Sequence, residues 1–381
     1  MRRVIFTLLV LCCSLVVAVA CTTPDGNESE SKIGLLESSI VVDADGGSYT
    51  VVVASQLQWS ASCESGWVVM NESGGGAGAT DFRFSVTANP ELEERNATIV
   101  FQCLNDTSSA MLNISQGVSE IAVKTKKTQG WAEVPTFVAN ENLEYCMHDK
   151  LPSNNKLRNY SFCFDKEKHC ALWVAYPLHS CYTDGDGKRT SAWGYDPCCV
   201  DDEYEPYLKN AYYPQGGSSY SHSRGHQLPS ADRLASNEDN ATTFYYTNMT
   251  PQLQSLNGSD WASLEDNLRS RYMCSDTLYV VTGAHFASGY GYAYDNKGAG
   301  KPCAVPTHYY KVILRTKKGN SGKWVGNCSA DELQCVGFWF EHKGGASRQT
   351  MSVAEIEKKT GHTFFPNVPN APKNVYNSSE W

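Results

Sequence analysis

The chain has 381 residues, of which 41% are hydrophobic and 19% are charged, and its formal net charge is −9. This length accommodates two domains, and the apolar content excludes a chain that is mainly disordered. The acidic balance excludes a protein that coats nucleic acid with a broadly basic surface.

Residues 1–21 have the layout of an export signal. Arg2 and Arg3 precede a short apolar run over residues 4–20 that ends at small residues, which predicts an export signal rather than a membrane span. Residues 18–21 resemble a lipobox, which implies that Cys21 is acylated and becomes the mature N-terminus. The alternative is an ordinary signal peptide cleaved near Ala20. Without the two arginines the chain keeps 30 basic and 41 acidic residues, a net charge of −11.

Residues 22–37 are predicted to be a flexible tether, because polar residues and glycine dominate the first part of this segment. With an acylated Cys21, the tether predicts a lipoprotein of the cell envelope, held at the outer membrane or the cell surface. With an ordinary signal peptide, the same segment predicts a secreted or periplasmic protein.

The cysteine content agrees with export. Three of the 15 cysteines lie in the signal, and the even remainder of twelve predicts disulfide bonds whose connectivity stays open. No zinc site is predicted, because no pair of CxxC motifs occurs and Cys198 and Cys199 are adjacent.

Residues 38–117 predict an all-β domain. Short β-branched runs separated by turn residues are typical of a β-sandwich, and they occupy residues 40–42, 49–53, 82–86, 97–101 and 111–114. The region resembles the BACON domain, an immunoglobulin-like module of surface and secreted proteins, in segments 59–62, 66–68, 84–86, 94–97 and 112–117. The resemblance implies glycan contact, through Trp59 and Trp67 stacking on sugars. The alternatives are that these rings belong to the core and that the domain is a spacer.

Residues 118–135 have no apolar period and predict a linker. Its lysines, at positions 124, 126 and 127, either contact nucleic acid or belong to a solvated segment.

Residues 136–381 mix strand and helix patterns and predict an α+β domain. Residues 160–164 and 171–176 are predicted to pair around a turn at 165–169, with further strands at 278–282, 309–314 and 335–340. Ser352 and Glu355 form a predicted capping box, and Gly361 is the predicted end of that helix.

The candidate site begins with the run Ser-Arg-Gly-His-Gln-Leu-Pro at residues 223–229, which places the imidazole of His226 beside a glycine and a guanidinium. A second run starts at Asn248 and continues with Asn257, Glu265 and Arg269, at steps of nine, eight and four residues. Together these runs resemble the DNA/RNA non-specific endonucleases of the ββα-metal superfamily. The resemblance spans residues 143–366 and departs from the family pattern at Ser223, where the family has an aspartate that braces the site.

Phosphodiester hydrolysis requires an activated water and positive charge where the transition state gathers negative charge. A neutral imidazole accepts a proton near neutral pH, so His226 is the candidate general base. The amide oxygen of Asn257 suits Mg²⁺, which prefers oxygen ligands, and Mn²⁺ is the alternative cation.

The resemblance implies the roles of the other site residues. Glu265 is expected to hydrogen-bond the waters of the metal, and Arg224 and Arg269 to contact the phosphate. Asn248 is expected to brace the site together with Ser223, and Arg189 is the candidate for an upstream arginine that serves the family's site.

The predicted protein is therefore an exported nuclease that cleaves DNA and RNA with little sequence preference. The alternative from another class is a surface lipoprotein that binds glycan or nucleic acid and in which the nuclease fold is catalytically weak or inactive.

Overall fold

The computed structural model describes residues 31–198, 200–297 and 300–381, and it divides the chain into a first unit that ends at Val123 and a second unit, Lys124–Trp381. The predicted export signal, the lipidation site Cys21 and residues 22–30 of the predicted tether lie outside the described residues. No helix in the described part of the chain is long and apolar enough to cross a membrane.

The first unit consists of two β-sheets. Its strands are β1 (Ile33–Leu35), β2 (Ser39–Val42), β3 (Gly47–Ser55), β4 (Trp59–Ser62), β5 (Val68–Met70), β6 (Gly74–Gly75), β7 (Gly78–Val86), β8 (Arg95–Cys103) and β9 (Ser109–Gln116). One sheet has the order β1-β3-β7-β5 and the other the order β2-β9-β8-β4-β6. Alternate residues of both sheets, such as Val53, Phe82 and Phe101, form one shared core.

All five strands predicted for the first unit are present, and the immunoglobulin-like connectivity stays a prediction. Trp59 is only 2% exposed and packs edge-on against Phe82 and Phe101, so it belongs to the core. Trp67 is half-buried beneath the guanidinium of Arg95, whose Cζ lies 4.3 Å from the ring centroid.

The predicted linker at residues 118–135 contains the boundary between the two units, and its central part is helical. Helix α1 (Glu120–Lys127) occupies it, and the Ser119 hydroxyl accepts a hydrogen bond from the Ala122 amide at the start of this helix. Lys124 and Lys127 form ion pairs with Glu144 and Asp149, and all four residues belong to the second unit. These two lysines are therefore occupied by carboxylates rather than free for nucleic acid.

The second unit is built on a seven-stranded antiparallel sheet, with the order β10-β11-β12-β15-β18-β19-β20. Its strands are β10 (Leu143–His148), β11 (Tyr160–Asp165), β12 (Cys170–Leu178), β13 (Ser223–His226), β14 (Met249–Gln252), β15 (Leu278–His285), β16 (Tyr292–Tyr294), β17 (Pro302–Ala304), β18 (His308–Thr316), β19 (Leu333–Glu341) and β20 (Gln349–Met351). Strands β13 and β14 form a separate two-stranded ribbon, as do β16 and β17. The predicted pairing of β11 with β12 is present, and β10 extends the sheet beyond it.

The central strands are buried on both faces because helices and loops cover the sheet. The helices of this unit are α2 (Ser180–Thr183), α3 (Asn237–Ala241), α4 (Gln254–Asn257), α5 (Asp260–Asn267) and α6 (Val353–Thr360). Helix α5 places Trp261 and Leu264 in a core with residues of β11, β12, β15, β18 and β19. Helix α6 has the predicted capping box at Ser352 and ends at Gly361 in the left-handed conformation.

The prediction of a broad disulfide framework is wrong for ten of the eleven described cysteines. Cys146 is disulfide-bonded, and the other ten carry free thiols. Several of these sulfurs meet oxygen rather than sulfur: Cys274 contacts the carbonyl oxygen of Asp276, Cys303 that of Lys301, and Cys103 the hydroxyl of Ser55.

Candidate active site

The ribbon of β13 and β14 carries the first group of candidate residues. Arg224 lies opposite Pro251 and His226 opposite Met249. A Cβ added at Gly225 would lie 2.5 Å from the Gln252 Oε1, so only glycine lets β14 approach so closely here. Because side chains alternate along a strand, Arg224 and His226 lie on the same face of the ribbon.

The imidazole of His226 lies between aromatic rings. Its centroid is 5.6 Å from that of Trp193 and 5.1 Å from that of Phe244, with steep interplanar angles. The Nε2 atom is shielded from solvent and has no hydrogen-bond partner in the described part of the chain. Burial, reinforced by the positive charge of Arg189, lowers the pKa of His226 to about 3. The ring is therefore uncharged at neutral pH.

Two arginines lie near this imidazole, and neither forms an ion pair with a carboxylate among the described residues. Arg224 stacks on Trp193, with its Cζ 3.4 Å from the ring centroid, and donates to the main-chain oxygens of Leu208 and Lys209. Arg189 donates to the Ser230 hydroxyl over 2.5 Å. Both guanidinium charges are therefore left without a counter-charge.

Ser223 connects the ribbon to the helix that carries Asn257. Its hydroxyl donates to Gln254 Oε1 over 2.6 Å, and Gln254 is the first residue of α4. Asn257 is the last residue of α4, is half-buried, and makes no side-chain hydrogen bond within residues 31–198, 200–297 and 300–381. The start of α4 is fixed by the Leu253 amide, which donates to His342 Nε2 over 2.8 Å.

Asn248 is fully buried and joins three segments of the chain. Its Nδ2 donates to the main-chain oxygens of Leu228 and Thr243 over 2.9 and 2.8 Å, and its Oδ1 accepts from the Leu228 amide over 2.8 Å. All three hydrogen bonds of this side chain are made with main chain, and they fix the turn after His226 against the start of β14.

Glu265 faces a buried lysine. The Nζ of Lys311, on β18, lies 3.6 Å from Glu265 Oε1, donates to the Thr282 hydroxyl, and lies 4.5 Å from the Trp261 ring centroid. Burial raises the pKa of the Glu265 carboxyl and lowers the pKa of the Lys311 amine, and the attraction between the two charges opposes both shifts.

Arg269 pairs with carboxylates other than Glu265. It donates to Asp232 over 2.7 Å and to Asp266 over 2.5 Å. Residues Leu268–Tyr272 form a π-helical turn, and the ion pairs of Arg269 are made with Asp232 and Asp266 rather than with Glu265. Asp232 is buried at the end of the 3-10 turn Ser230–Asp232, whose first residue accepts from Arg189.

The structure therefore places the candidate residues in two neighbouring groups. His226 and Arg224 contact Trp193, and Arg189 lies over the neighbouring ring of Phe244. Glu265 and Arg269 belong to an ionic cluster with Asp232 and Lys311. Ser223 ties the first group to α4 and Asn257.

Three residues of the site were not predicted from the sequence: Lys311 and Asp232 of the ionic cluster, and Phe244, which packs against His226. A signal for Lys311 was present, because a lysine inside the apolar run over residues 309–314 needs a counter-charge when that strand is buried. Asp232 and Phe244 had no comparable signal.

The donors on this site suit a hard divalent cation. The side-chain amide of Asn257 has no protein partner in the described part of the chain, and Glu265 is one of three acidic residues on the following helix, α5. Oxygen ligands of this kind, few in number, fit Mg²⁺ or Mn²⁺, which keep several waters when bound.

Comparison with known proteins gives two family matches. Residues 146–371 match the model of the family described as DNA/RNA non-specific endonuclease. Residues 58–117 match the BACON family, described as a putative N-terminal binding domain.

Individual relatives align with more than half of this chain. A protein named nuclease from Nostoc sp. is 29% identical over 242 residues, covering 59% of this chain and 79% of the relative. Endonuclease G of Bos taurus is 29% identical over 57% of this chain and 72% of its own. The nuclease of Serratia marcescens is 32% identical over 52% of this chain and 70% of its own.

Proposed function

Because the chain belongs to the DNA/RNA non-specific endonuclease family and is a nuclease, we propose that it is a divalent-metal-dependent hydrolase of DNA and RNA in which His226 is the general base. One observation carries this proposal. His226 is uncharged, its Nε2 is free of protein partners in the described residues, and two guanidinium groups without counter-charge lie beside it.

His226 accepts the proton of the attacking water. Its low pKa keeps the ring unprotonated in the free protein, although a base of such low pKa provides little driving force by itself. A bound phosphate brings negative charge next to Arg189 and Arg224, which offsets their effect on the imidazole. The pKa of His226 therefore rises when substrate is bound, toward the range in which proton transfer from water is effective.

Arg224 and Arg189 bind the phosphate and stabilise the negative charge that develops on it. Each guanidinium already makes hydrogen bonds that fix its position, and neither has to leave a carboxylate to meet an anion. Arg269 is different, since Asp232 and Asp266 already bind it. We assign Arg269 to positioning α5 rather than to phosphate contact.

Asn257 would hold the cation through its amide oxygen, with Glu265 close to the waters of the cation. When bound, a divalent cation supplies Lewis-acid stabilisation of charge on the phosphate oxygens. Asn248 and Ser223 support the geometry, the first through the turn after His226 and the second through its hydrogen bond to α4.

The alternative function is that of a catalytically inactive binding protein. It rests on Ser223, which occupies the position where the family has aspartate. The Ser223 hydroxyl still links β13 to α4, so a connection between the base and the helix of Asn257 is kept. This contact favours the active enzyme.

We further propose that the nuclease is exported and anchored to a membrane through an acylated Cys21, with a net charge of −11 once the signal is removed. The signal pattern of residues 1–21 supports this location, and the family match at residues 58–117 supports a binding role for the first unit. An acidic enzyme of this kind cuts and releases its substrate, and its binding weakens as salt rises.

The test is digestion of plasmid DNA and of RNA by the chain without residues 1–21. We expect both substrates to be degraded with Mg²⁺, and neither to be degraded with EDTA or by His226→Ala. If the wild-type protein leaves both substrates intact with Mg²⁺ and with Mn²⁺, the assignment of a catalytic role to His226 and Asn257 is wrong.

A further inference from the structure

A second group of metal-binding side chains lies outside the site described above. The Nε2 of His148, a carboxylate oxygen of Asp196 and the Sγ of Cys198 all lie within 4.8 Å of one another. His148 is on β10, 48 residues before Asp196, so no local motif such as CxxC marks the group in the sequence. We propose that these three residues form a site for a borderline transition-metal ion, with Zn²⁺ as the cation that fits best.

The imidazole of His148 is fixed in position. Its ring packs on Tyr160 and Tyr245, with centroid distances of 4.5 and 5.4 Å, and its Nε2 lies 3.0 Å from Asp196 Oδ2. The side chain is 12% exposed, so water can still reach the site. A ring held in this way presents Nε2 to a ligand without a large change of rotamer.

The carboxylate of Asp196 is buried and oriented by its neighbours. Its Oδ2 accepts from the Thr247 hydroxyl over 2.6 Å and its Oδ1 from the Cys198 amide over 2.9 Å, while its own amide donates to Glu205 over 2.9 Å. Outer hydrogen bonds of this kind orient metal ligands in known sites. They also hold the Cys198 main chain next to the carboxylate.

Cys198 provides the third donor from an exposed position. Its thiol is free, and its nearest polar contact is the Met147 carbonyl oxygen at 3.6 Å. The side chain can therefore rotate toward His148 and Asp196 without disturbing a packed core.

The combination of nitrogen, oxygen and sulfur determines which cation fits. Mg²⁺ selects oxygen ligands, whereas Zn²⁺ accepts imidazole, carboxylate and thiolate in a tetrahedral arrangement, with water as the fourth ligand. Binding releases the proton of the Cys198 thiol, and the ring proton of His148 moves to Nδ1, so that the neutral imidazole offers Nε2 to the cation. The thiolate and the carboxylate balance the two positive charges of the cation.

Occupancy of this site would stabilise the segment that carries part of the active site. Asp196 follows Trp193 by three residues, and Thr247 directly precedes Asn248. A cation bridging β10 and Asp196 therefore restrains Trp193, on which Arg224 stacks. The site is a structural clamp, and its existence does not depend on the proposed nuclease mechanism.

The test is a calorimetric titration of the metal-free chain with Zn²⁺, in excess Mg²⁺ to occupy oxygen-rich sites. We expect one zinc-binding site per chain, removed by Cys198→Ala and by His148→Ala, and weakened ~10- to 100-fold by Thr247→Val, which removes an outer hydrogen bond. Zn²⁺ should raise the Tm of the wild-type chain and not that of Cys198→Ala.

Cys181→Ala is the matched control. Cys181 is also an exposed free thiol beside a histidine, His179, but no third donor joins this pair in the described part of the chain. This variant should bind Zn²⁺ like the wild type. With Co²⁺ in place of Zn²⁺, a thiolate-to-cobalt absorption band should appear and be absent in Cys198→Ala. Equal Zn²⁺ binding by the wild type and Cys198→Ala, or no binding by the wild type, overturns the proposal.

Discussion

Two neighbouring regions of the second unit use charge in opposite ways. Around His226, two guanidinium groups lack a carboxylate partner in the described residues, and the imidazole is kept uncharged. Along α5, the charges of Arg269 and Lys311 are matched by Asp232, Asp266 and Glu265. Charge left uncompensated is available to a substrate anion, whereas compensated charge stabilises the scaffold.

His226→Ala tests the first region most directly and has the largest expected effect. Loss of a general base lowers kcat by about 10² to 10⁴. The stability lost is that of the ring packing on Trp193 and Phe244, since Nε2 has no partner among the described residues. Steady-state cleavage and urea denaturation measure the two quantities. His222→Ala is the control, since this half-buried imidazole precedes the ribbon and has no proposed role in the chemistry. Equal activity of His226→Ala and wild type would exclude His226 as the base.

Arg269→Ala tests the second region through stability. The variant leaves the buried carboxylate of Asp232 without its cation, and breaking a pair of this kind costs about 3 kcal/mol. The exposed neighbour Arg271 has no carboxylate partner in the described part of the chain, so Arg271→Ala should change stability by less than ~0.5 kcal/mol. If both variants unfold at the same urea concentration as wild type, the Arg269 pair contributes nothing to the scaffold.

Arg224→Ala should affect binding rather than folding, the reverse of Arg269→Ala. Removing one phosphate contact reduces the slope of log affinity against log salt by about 1. Binding of a DNA duplex to the metal-free protein over a range of salt concentrations measures this slope. Arg224→Lys keeps the charge, so it should keep the slope while losing the stack on Trp193. An unchanged slope in Arg224→Ala would mean that this guanidinium does not meet phosphate.

Some features of the second unit could be predicted from the sequence and others could not. Strand runs such as residues 160–164 and 171–176, and the capping box at Ser352, follow from local patterns that tertiary contacts reinforce. The order and spacing of His226, Asn257 and Glu265 pointed to one site. The pairing of Arg269 with Asp232 was not predictable, because Asp232 lies 37 residues away in the sequence.

Contacts between residues that are far apart in the sequence also explain the other differences between prediction and structure. The helix in residues 118–135 is held by ion pairs to Glu144 and Asp149, which no pattern within that segment encodes. Likewise, His148, Asp196 and Cys198 converge only because β10 and the chain near Asp196 meet in the fold. Local sequence motifs therefore predict helices and strands. Ion pairs and groups of metal-binding side chains that come from distant parts of the chain are found only in the structure.

The pH dependence of folding stability is a smaller effect that also distinguishes the region around His226 from the ionic cluster around Arg269. The pKa of His226 is lowered from its ordinary value of 6.5 to about 3, so between these values the unfolded chain binds a proton that the folded chain does not. The stability associated with the neutral ring is present above about pH 6.5 and is lost as the pH falls toward 3.

Between pH 7 and pH 5, wild type should therefore lose about 1 kcal/mol more stability than His226→Ala, a figure reduced because part of the side chain is exposed while Nε2 is shielded. Urea denaturation of both proteins at the two pH values measures the difference, and the titration of all other groups cancels in it. Identical losses would mean that the ring of His226 is solvated in the folded protein. The arginines would then not be acting on a shielded base, and the contrast between the two regions would lie in their ion pairs alone.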